Sequence, residues 1–287
     1  MAAPLLIADV PWLLYRSFFA LPKSIVGADG QPVNGLLGTV NAILSFDDVD
    51  GVVACMGAEQ AHYRVQLYPP YHAHREEMPP ELAEQWQKAP LLLDSLGWTV
   101  DTSEELEADD VMFSHARVEE ERGGTALLLT GDRDLYGAVS GRVAVAELKR
   151  DPARPEHGEI GPQQVRERYG VEPAQVPDFI ALRGDPSDGL PGAPGIGAKT
   201  AAELLRAHGS LEQLLAAAAN PATDMRPRVV NALRENAELL RTFKQIATLQ
   251  RIDVESPVDR ATDFAGGARM ASELGMGRLA ERLEKLA

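Results

Sequence analysis

The chain has 287 residues, enough for one large domain or two modest ones, and 45% of them are hydrophobic, ample for a sizeable core. Its formal charge of -15 argues against bulk attraction to nucleic acid without excluding it, because acids gathered around divalent cations attract phosphate once the ions are bound. A single cysteine, Cys55, excludes an intrachain disulfide and a Cys-rich zinc site; no apolar run nears the roughly 18 residues of a membrane span; and the N-terminus lacks a basic region, so a cytoplasmic protein away from membranes is expected.

In chain order, "PLLIA" reads as a short buried parallel strand and "VNGLLGTVNAILSF" as a helix with Asn34 at its N-cap. "GVVACM" is a second buried strand, and "PELAEQWQKAPLLLDSLG" is an amphipathic helix closed by Gly97. "WTV" adds a short strand, "EELEADDVMFSHARVEEERG" a long helix, and "TALLLT" and "RVAVAEL" two further strands. Strands alternating with helices predict an α/β fold, a mostly parallel sheet flanked by helices. After about residue 158 the strand signal stops. "GPQQVRERYG", "EPAQVPDFIALRG", "AKTAAELLRAHG", "SLEQLLAAAAN", "RPRVVNALRENAELLRTFKQIATLQ" and "ARMASELGMGRLAERLEKLA" are helical in period, so residues 1–158 form the α/β part and 159–287 an all-α part.

Acids recur where such a sheet binds ligands. Asp9 follows the first strand, and Asp132 and Asp134 follow "TALLLT"; open α/β sheets bind in the crevice beyond the carboxyl ends of their strands. Glu107, Asp109 and Asp110 stand at a predicted helix start, with Glu107 and Asp110 as i,i+3 neighbours, and Asp185 and Asp188 come from "GDPSDG" in the second half. Singly, each is more often a turn or a helix cap. Together they are eight carboxylates that would repel one another unless cations neutralise them, and an all-oxygen set suits Mg²⁺ or Mn²⁺. Two such ions are the usual arrangement for phosphodiester cleavage.

Directly after the last two acids, "LPGAPGIGAKTAAELL" sets Gly192, Gly195 and Gly197 between two predicted helices. Glycines there allow close backbone approach, and the amides opening the next helix, with Lys199, can bind a phosphate without reading bases. It is not a nucleotide-binding P-loop, because Ala198 occupies the position of the required lysine.

Together with "LIADVPWLLYRSFFALP", "YRVQLYPPYHAHR", "LLLTGDRDLYGAVS" and "GSLEQLL", these motifs resemble the 5′-nuclease (flap endonuclease) family over about residues 4–250, especially the bacterial 5′→3′ exonuclease domain found at the N-terminus of DNA polymerase I or free-standing. The resemblance implies a PIN-like nuclease core with a helical arch or clamp at about 68–98, then a helix–hairpin–helix at about 173–208. It implies that Asp9, Glu107, Asp109 and Asp132 hold one ion and Asp134, Asp185 and Asp188 a second, with Asp110 shared or behind them. It further implies that Gly195, Gly197 and Lys199 grip duplex DNA with a bound K⁺, and that Arg16, Arg64 and Arg75 lead the 5′ strand to the metals. Tyr68 and Tyr71 would stack on a base or simply pack. The expected protein is a monomeric, nucleoid-associated 5′→3′ exonuclease and flap endonuclease of DNA replication and repair. Its substrates would be 5′ flaps, nicked or gapped duplexes and RNA–DNA hybrids at primers, with a separate DNA polymerase as partner.

Two departures qualify the match. The family's second strand usually ends in aspartate, whereas Gly57 stands there, with Glu59 two residues on as a substitute ligand; His72 replaces a usual lysine. They motivate two expectations: a nuclease of weakened activity that a Gly57→Asp exchange would improve, or a branched-DNA binder that has lost its chemistry. A third class, RNA-cutting enzymes on a related sheet, would not need the long helical half.

Overall fold

The computed structural model describes residues 3–148, 158–257 and 261–287. In chain order the elements are β1 (Leu5–Asp9), α1 (Val10–Ala20), α2 (Asn34–Ile43), β2 (Gly51–Met56), α3 (His62–Leu67), α4 (Pro80–Ser95), β3 (Thr99–Thr102), α5 (Ala108–Glu121), β4 (Ala126–Leu129), β5 (Val143–Glu147) and β6 (Gly158–Ile160). The helices α6 (Pro162–Tyr169), α7 (Val176–Arg183), α8 (Ala198–His208), α9 (Leu211–Ala219), α10 (Pro227–Glu235), α11 (Ala237–Ala247), α12 (Phe264–Glu273) and α13 (Gly277–Glu284) follow.

The six strands form one sheet in the order β3-β2-β1-β4-β5-β6, parallel except for β6 at the edge. Because β1 pairs with β2 on one side and β4 on the other, the chain direction across the sheet reverses there, leaving a crevice beyond the ends of β1 and β4. Successive side chains of a strand point to opposite faces. Leu5 and Ile7 therefore join a core with α5, α7, α8, α9 and α11, while Leu6 and Ala8 join one with α1, α2, α4, α12 and α13. Among the described residues no helix is long and apolar enough to cross a membrane.

Several expectations need correcting. Asn34 is not the N-cap of α2; Val33 is, and buried Asn34 donates to the carbonyls of Phe18 and Leu21 where α1 ends. The 226–250 segment is two helices, because the Asn236 amide donates to Ala232 O and the chain turns there. The final segment likewise breaks at Gly275, whose φ of +78° and contact with the Gly27–Ala28 backbone suit only glycine. These last helices return to the second core: α12 packs on α4, and Trp98 Nε1 donates to Thr262 Oγ1. The strand signal does not end quite at 158, since β6 adds an antiparallel edge.

The arch expected over 68–98 does not run that far. Helix α4 buries Leu82, Ala89, Leu92 and Leu93 in the second core, and Gly97, at φ +75°, ends its final turn. The crossing between α3 and α4 is the shorter stretch 69–79, in which Tyr71 and His72 are buried.

Candidate active site

Asp9 ends β1 and also caps α1. One carboxylate oxygen accepts from Trp12 N at 3.0 Å, and the other from Thr130 Oγ1, just past β4, at 2.6 Å. The cap and the ligand readings are thus compatible in one residue. Burial, then the charges of Asp109 and Glu107, lift its pKa to about 6 against those two hydrogen bonds. Asp132 lies two residues beyond Thr130 and accepts from the amide of Asp134, which opens a short 3₁₀ turn. Desolvation, then Asp109, Asp188 and Asp9, push it to about 7 against the hydrogen bond from Asp134. Burial and the charges of Asp132, Asp188 and Asp185 push Asp134 well up.

Glu107 is the N-cap residue of α5 and is extended, not helical, so the i,i+3 pairing expected with Asp110 does not form. Its carboxylate accepts from Ala61 N at 2.8 Å and from Tyr71 Oη at 3.1 Å. Asp109 opens towards the cleft on the first turn of α5. Asp110 turns away from it: its oxygens face Arg64 at 3.0 Å and accept from Gln250 N at 2.6 Å, tying α5 to the segment after α11. Asp110 therefore stands behind the acids that line the cleft.

A cavity of about 490 Å³ collects Asp9, Glu107, Asp109, Asp132, Glu59 and Arg75 on its walls. Asp134, Asp185 and Asp188 adjoin this set, and the charges of Asp132, Asp188 and Asp185 raise the proton affinity of Asp134. Among the described residues no three acids already stand in coordinating geometry. The donor chemistry nevertheless fits hard divalent cations: seven converging carboxylates, with no histidine or cysteine among them, gain most from a cation that draws them together.

The three arginines differ. Arg64 is buried, not at the surface, and its guanidinium pairs with Glu107 at 3.1 Å and with Asp109 and Asp110 at 3.0 Å. It is the internal counter-ion of α5's acids and cannot guide a strand. Arg75 lines the cavity and reaches Asp188 at 3.5 Å. Arg16 lies over the Trp12 ring, 5.8 Å from its centroid.

Of the two expectations for the tyrosines of the crossing, packing is the one the structure shows. Tyr68 packs edge-on against Phe243, and Tyr71 is buried, bonded to Glu107 and stacked on His72 with centroids 3.8 Å apart. Neither presents a face for a base. His72 is buried rather than exposed to a phosphate; its Nε2 pairs with Asp188 at 2.9 Å, and its φ is +55°. Residues 71 and 72 therefore tether the crossing to both groups of acids.

The sequence reading missed the opposite wall of the cavity, formed by Trp12, Tyr15, Phe19 and Trp86. Phe19 is 68% exposed. The signal was present in "WLLYRSFF", where Trp12, Tyr15 and Phe19 share one helical face, but that stretch was not assigned to a helix. Aromatic faces beside metal-binding carboxylates suit an unpaired nucleobase.

Gly57 follows β2, as expected, but its surroundings have closed in. A methyl group there would stand 2.4 Å from Ala108 N, 2.5 Å from Glu107 C and 2.7 Å from Leu106 O. Ala58 N also donates to Leu106 O, so the backbone entering α5 occupies the space of a residue-57 side chain. A Gly57→Asp exchange would displace Glu107, and it is not a simple restoration. Glu59 is exposed, lines the cavity, and accepts from Tyr15 Oη at 2.9 Å.

In the hairpin, Gly192 is buried at φ +68°, and a side chain would strike the backbone of residues 182–184 at 2.4–2.7 Å; it closes the loop onto α7 and does not face a ligand. Gly195, at φ +77°, Gly197 at the N-cap of α8, and Lys199 are exposed.

Residues 4–170 match the 5′-3′ exonuclease N-terminal resolvase-like domain, and residues 171–265 the 5′-3′ exonuclease C-terminal SAM fold. The chain belongs to the 5′-3′ exonuclease family. A 5′-3′ exonuclease of Mycobacterium tuberculosis is 34% identical, with 99% of this chain and 98% of that protein covered. The thermostable DNA polymerase I of Thermus thermophilus is 35% identical over 96% of this chain and 32% of its own length. In fold, this exonuclease is similar to the bacteriophage T5 flap endonuclease solved with DNA and metal ions (TM-score 0.68, 16% identity, 99% and 98% covered) and to the catalytic core of Rad2 with DNA substrate (0.64, 13%, 99% and 90%).

Proposed function

We propose that this 5′-3′ exonuclease hydrolyses phosphodiester bonds at 5′ flaps and 5′ ends of duplex DNA, using two Mg²⁺ or Mn²⁺ ions. The observation that carries the reading is the convergence of carboxylates from β1, the β4 loop, the start of α5 and the loop before α8 beside one cavity. Asp9, Glu107, Asp109 and Asp132 would hold one ion and Asp134, Asp185 and Asp188 the other, with Glu59 near enough to supplement the first. Bound there, the ions would supply charge neutralisation at the scissile phosphate and a lowered pKa for the attacking water.

The chain's own groups do the rest. Arg64, buried among these acids, fixes the geometry of Glu107 and Asp109. Tyr71, whose proton affinity burial and then Glu107 raise, stays a neutral donor to that glutamate. Arg75, the cation on the cavity wall, offers a planar fork to a phosphate. The wall of Trp12, Tyr15, Phe19 and Trp86 would seat an unpaired terminal base while the exposed hairpin, with K⁺ as a further counter-charge, holds the duplex.

The alternative, a branched-DNA binder, draws its support from Gly57, whose surroundings leave no room for an acid. Cleavage of a 5′-labelled double-flap DNA in Mg²⁺ and in Mn²⁺, beside Asp132→Asn, separates the two. Cuts near the junction that vanish in the variant are expected. Tight flap binding with no cleavage in either metal would establish the binder, and preferential cutting of single-stranded RNA would refute both.

A further inference from the structure

Arg64, Arg75, Arg117, Arg122, Arg166, Arg168, Arg183, Arg241 and Arg251 each lie within ion-pair distance of a carboxylate. Arg228 does not. It is exposed on the first turn of α10 and makes no ion pair or side-chain hydrogen bond among the described residues. Its guanidinium lies instead across the hairpin of the α7–α8 pair. A methyl group on Gly195 would stand 2.8 Å from Arg228 Nη2, 3.1 Å from Nε and 3.2 Å from Cζ. At Gly197, by contrast, nothing lies within 4 Å, so the crown of the hairpin is open beside the guanidinium. Lys199 stands exposed on the next turn of chain.

We propose that Arg228, which lies outside the hairpin motif, is a duplex phosphate contact that extends the hairpin's grip on the DNA backbone to α10. The inference rests on the reading of the hairpin as a duplex anchor. Its physical basis is threefold. An unpaired, hydrated guanidinium breaks no internal ion pair when it binds a phosphate, and its planar fork can engage two phosphate oxygens at once. The guanidinium lies beside Gly195, at the hairpin that would face the duplex. Gly195 is required for its φ of +77°, and its lack of a side chain leaves room for the guanidinium beside the hairpin. The packing role alone would need only the aliphatic stem.

The test is fluorescence anisotropy of a labelled blunt duplex in EDTA, for the wild type, Arg228→Ala, Arg228→Lys and Lys199→Ala, at several KCl concentrations. Arg228→Ala should weaken binding about tenfold, the size of one charge-assisted contact. It should also lower the slope of log K against log salt by about 0.9, the value for one released counterion. Arg228→Lys should keep the slope and lose part of the affinity. The thermal midpoint should not change, because the side chain is exposed. Wild-type affinity and slope in Arg228→Ala, with Lys199→Ala still impaired, would overturn the inference and leave the hairpin reading intact. An unchanged slope with a lowered thermal midpoint would overturn it as well, making Arg228 a packing residue. Absence of salt-dependent duplex binding by the wild type would instead bring down the hairpin reading itself.

Discussion

Replacing Arg64 with methionine removes the one cation among three carboxylates while keeping a side chain of similar length. Glu107, Asp109 and Asp110 each lie 3.0–3.1 Å from its guanidinium, and the arginine is 2% exposed. Removing one partner of a buried ion pair costs about 3–5 kcal/mol, because the other charge stays buried without compensation. For a chain of this size that corresponds to a fall in thermal midpoint of roughly 6–20 °C. The loss should shrink at lower pH, where an uncompensated carboxylate can take up a proton. It should shrink also in millimolar Mg²⁺, which can neutralise Glu107 and Asp109 but not Asp110, turned towards Gln250 N. The assay is thermal unfolding by circular dichroism in EDTA and in Mg²⁺, each at about pH 5.5 and pH 8. A change below about 1 kcal/mol under all four conditions would refute the structural role and return Arg64 to the surface function its sequence context suggested.

Gly57→Ala should destabilise by about 1–3 kcal/mol, since the clash is with the backbone of residues 106–108 and has no flexible side chain to yield; urea unfolding would show it, and a neutral result would mean the loop into α5 is free to move. Asp9 and Asp132 bind protons more tightly folded than unfolded, at about 6 and about 7 against 3.8, so their contribution is greatest below the unfolded value and is lost as pH rises through those values. For buried Asp9 alone this amounts to roughly 3 kcal/mol. The metal-free thermal midpoint should therefore fall between about pH 4 and pH 7, and Mg²⁺ should flatten the fall; a midpoint rising over that range without metal would contradict the crowding described. Phe19→Ala should leave stability within about 0.5 kcal/mol, given its exposure, yet raise KM on a flapped substrate by an amount in keeping with about 1–3 kcal/mol of base stacking. Steady-state kinetics with an unchanged KM would remove Phe19 from the substrate path.

Much of the fold was legible because its signals are local. "TALLLT" and "GVVACM" are short apolar runs with β-branched residues or flanking turns, and both became central parallel strands. Asp9 and Asp132 could be located because strand ends at a reversal of direction are where such sheets bind, and Thr130 bridging to Asp9 is that juxtaposition made physical. What stayed hidden is long-range. Nothing near Arg64 in the chain shows that three acids more than forty residues away will bury it. His72 read as exposed because "YHAHR" is polar, yet Asp188 holds it inside, and Glu107 settles Tyr71 as a packed residue. The break at Asn236 was also invisible to periodicity, because the apolar spacing continues across it.

The central claim is that the converging acids hold two divalent ions although Gly57 supplies no ligand. The direct measurement is the number of Mn²⁺ ions bound per chain, followed by electron paramagnetic resonance of free Mn²⁺ during titration. The account predicts two ions for the wild type, one fewer in Asp109→Asn, and one fewer in Asp185→Asn. A wild type that binds one ion or none, or variants that both retain two, would contradict it.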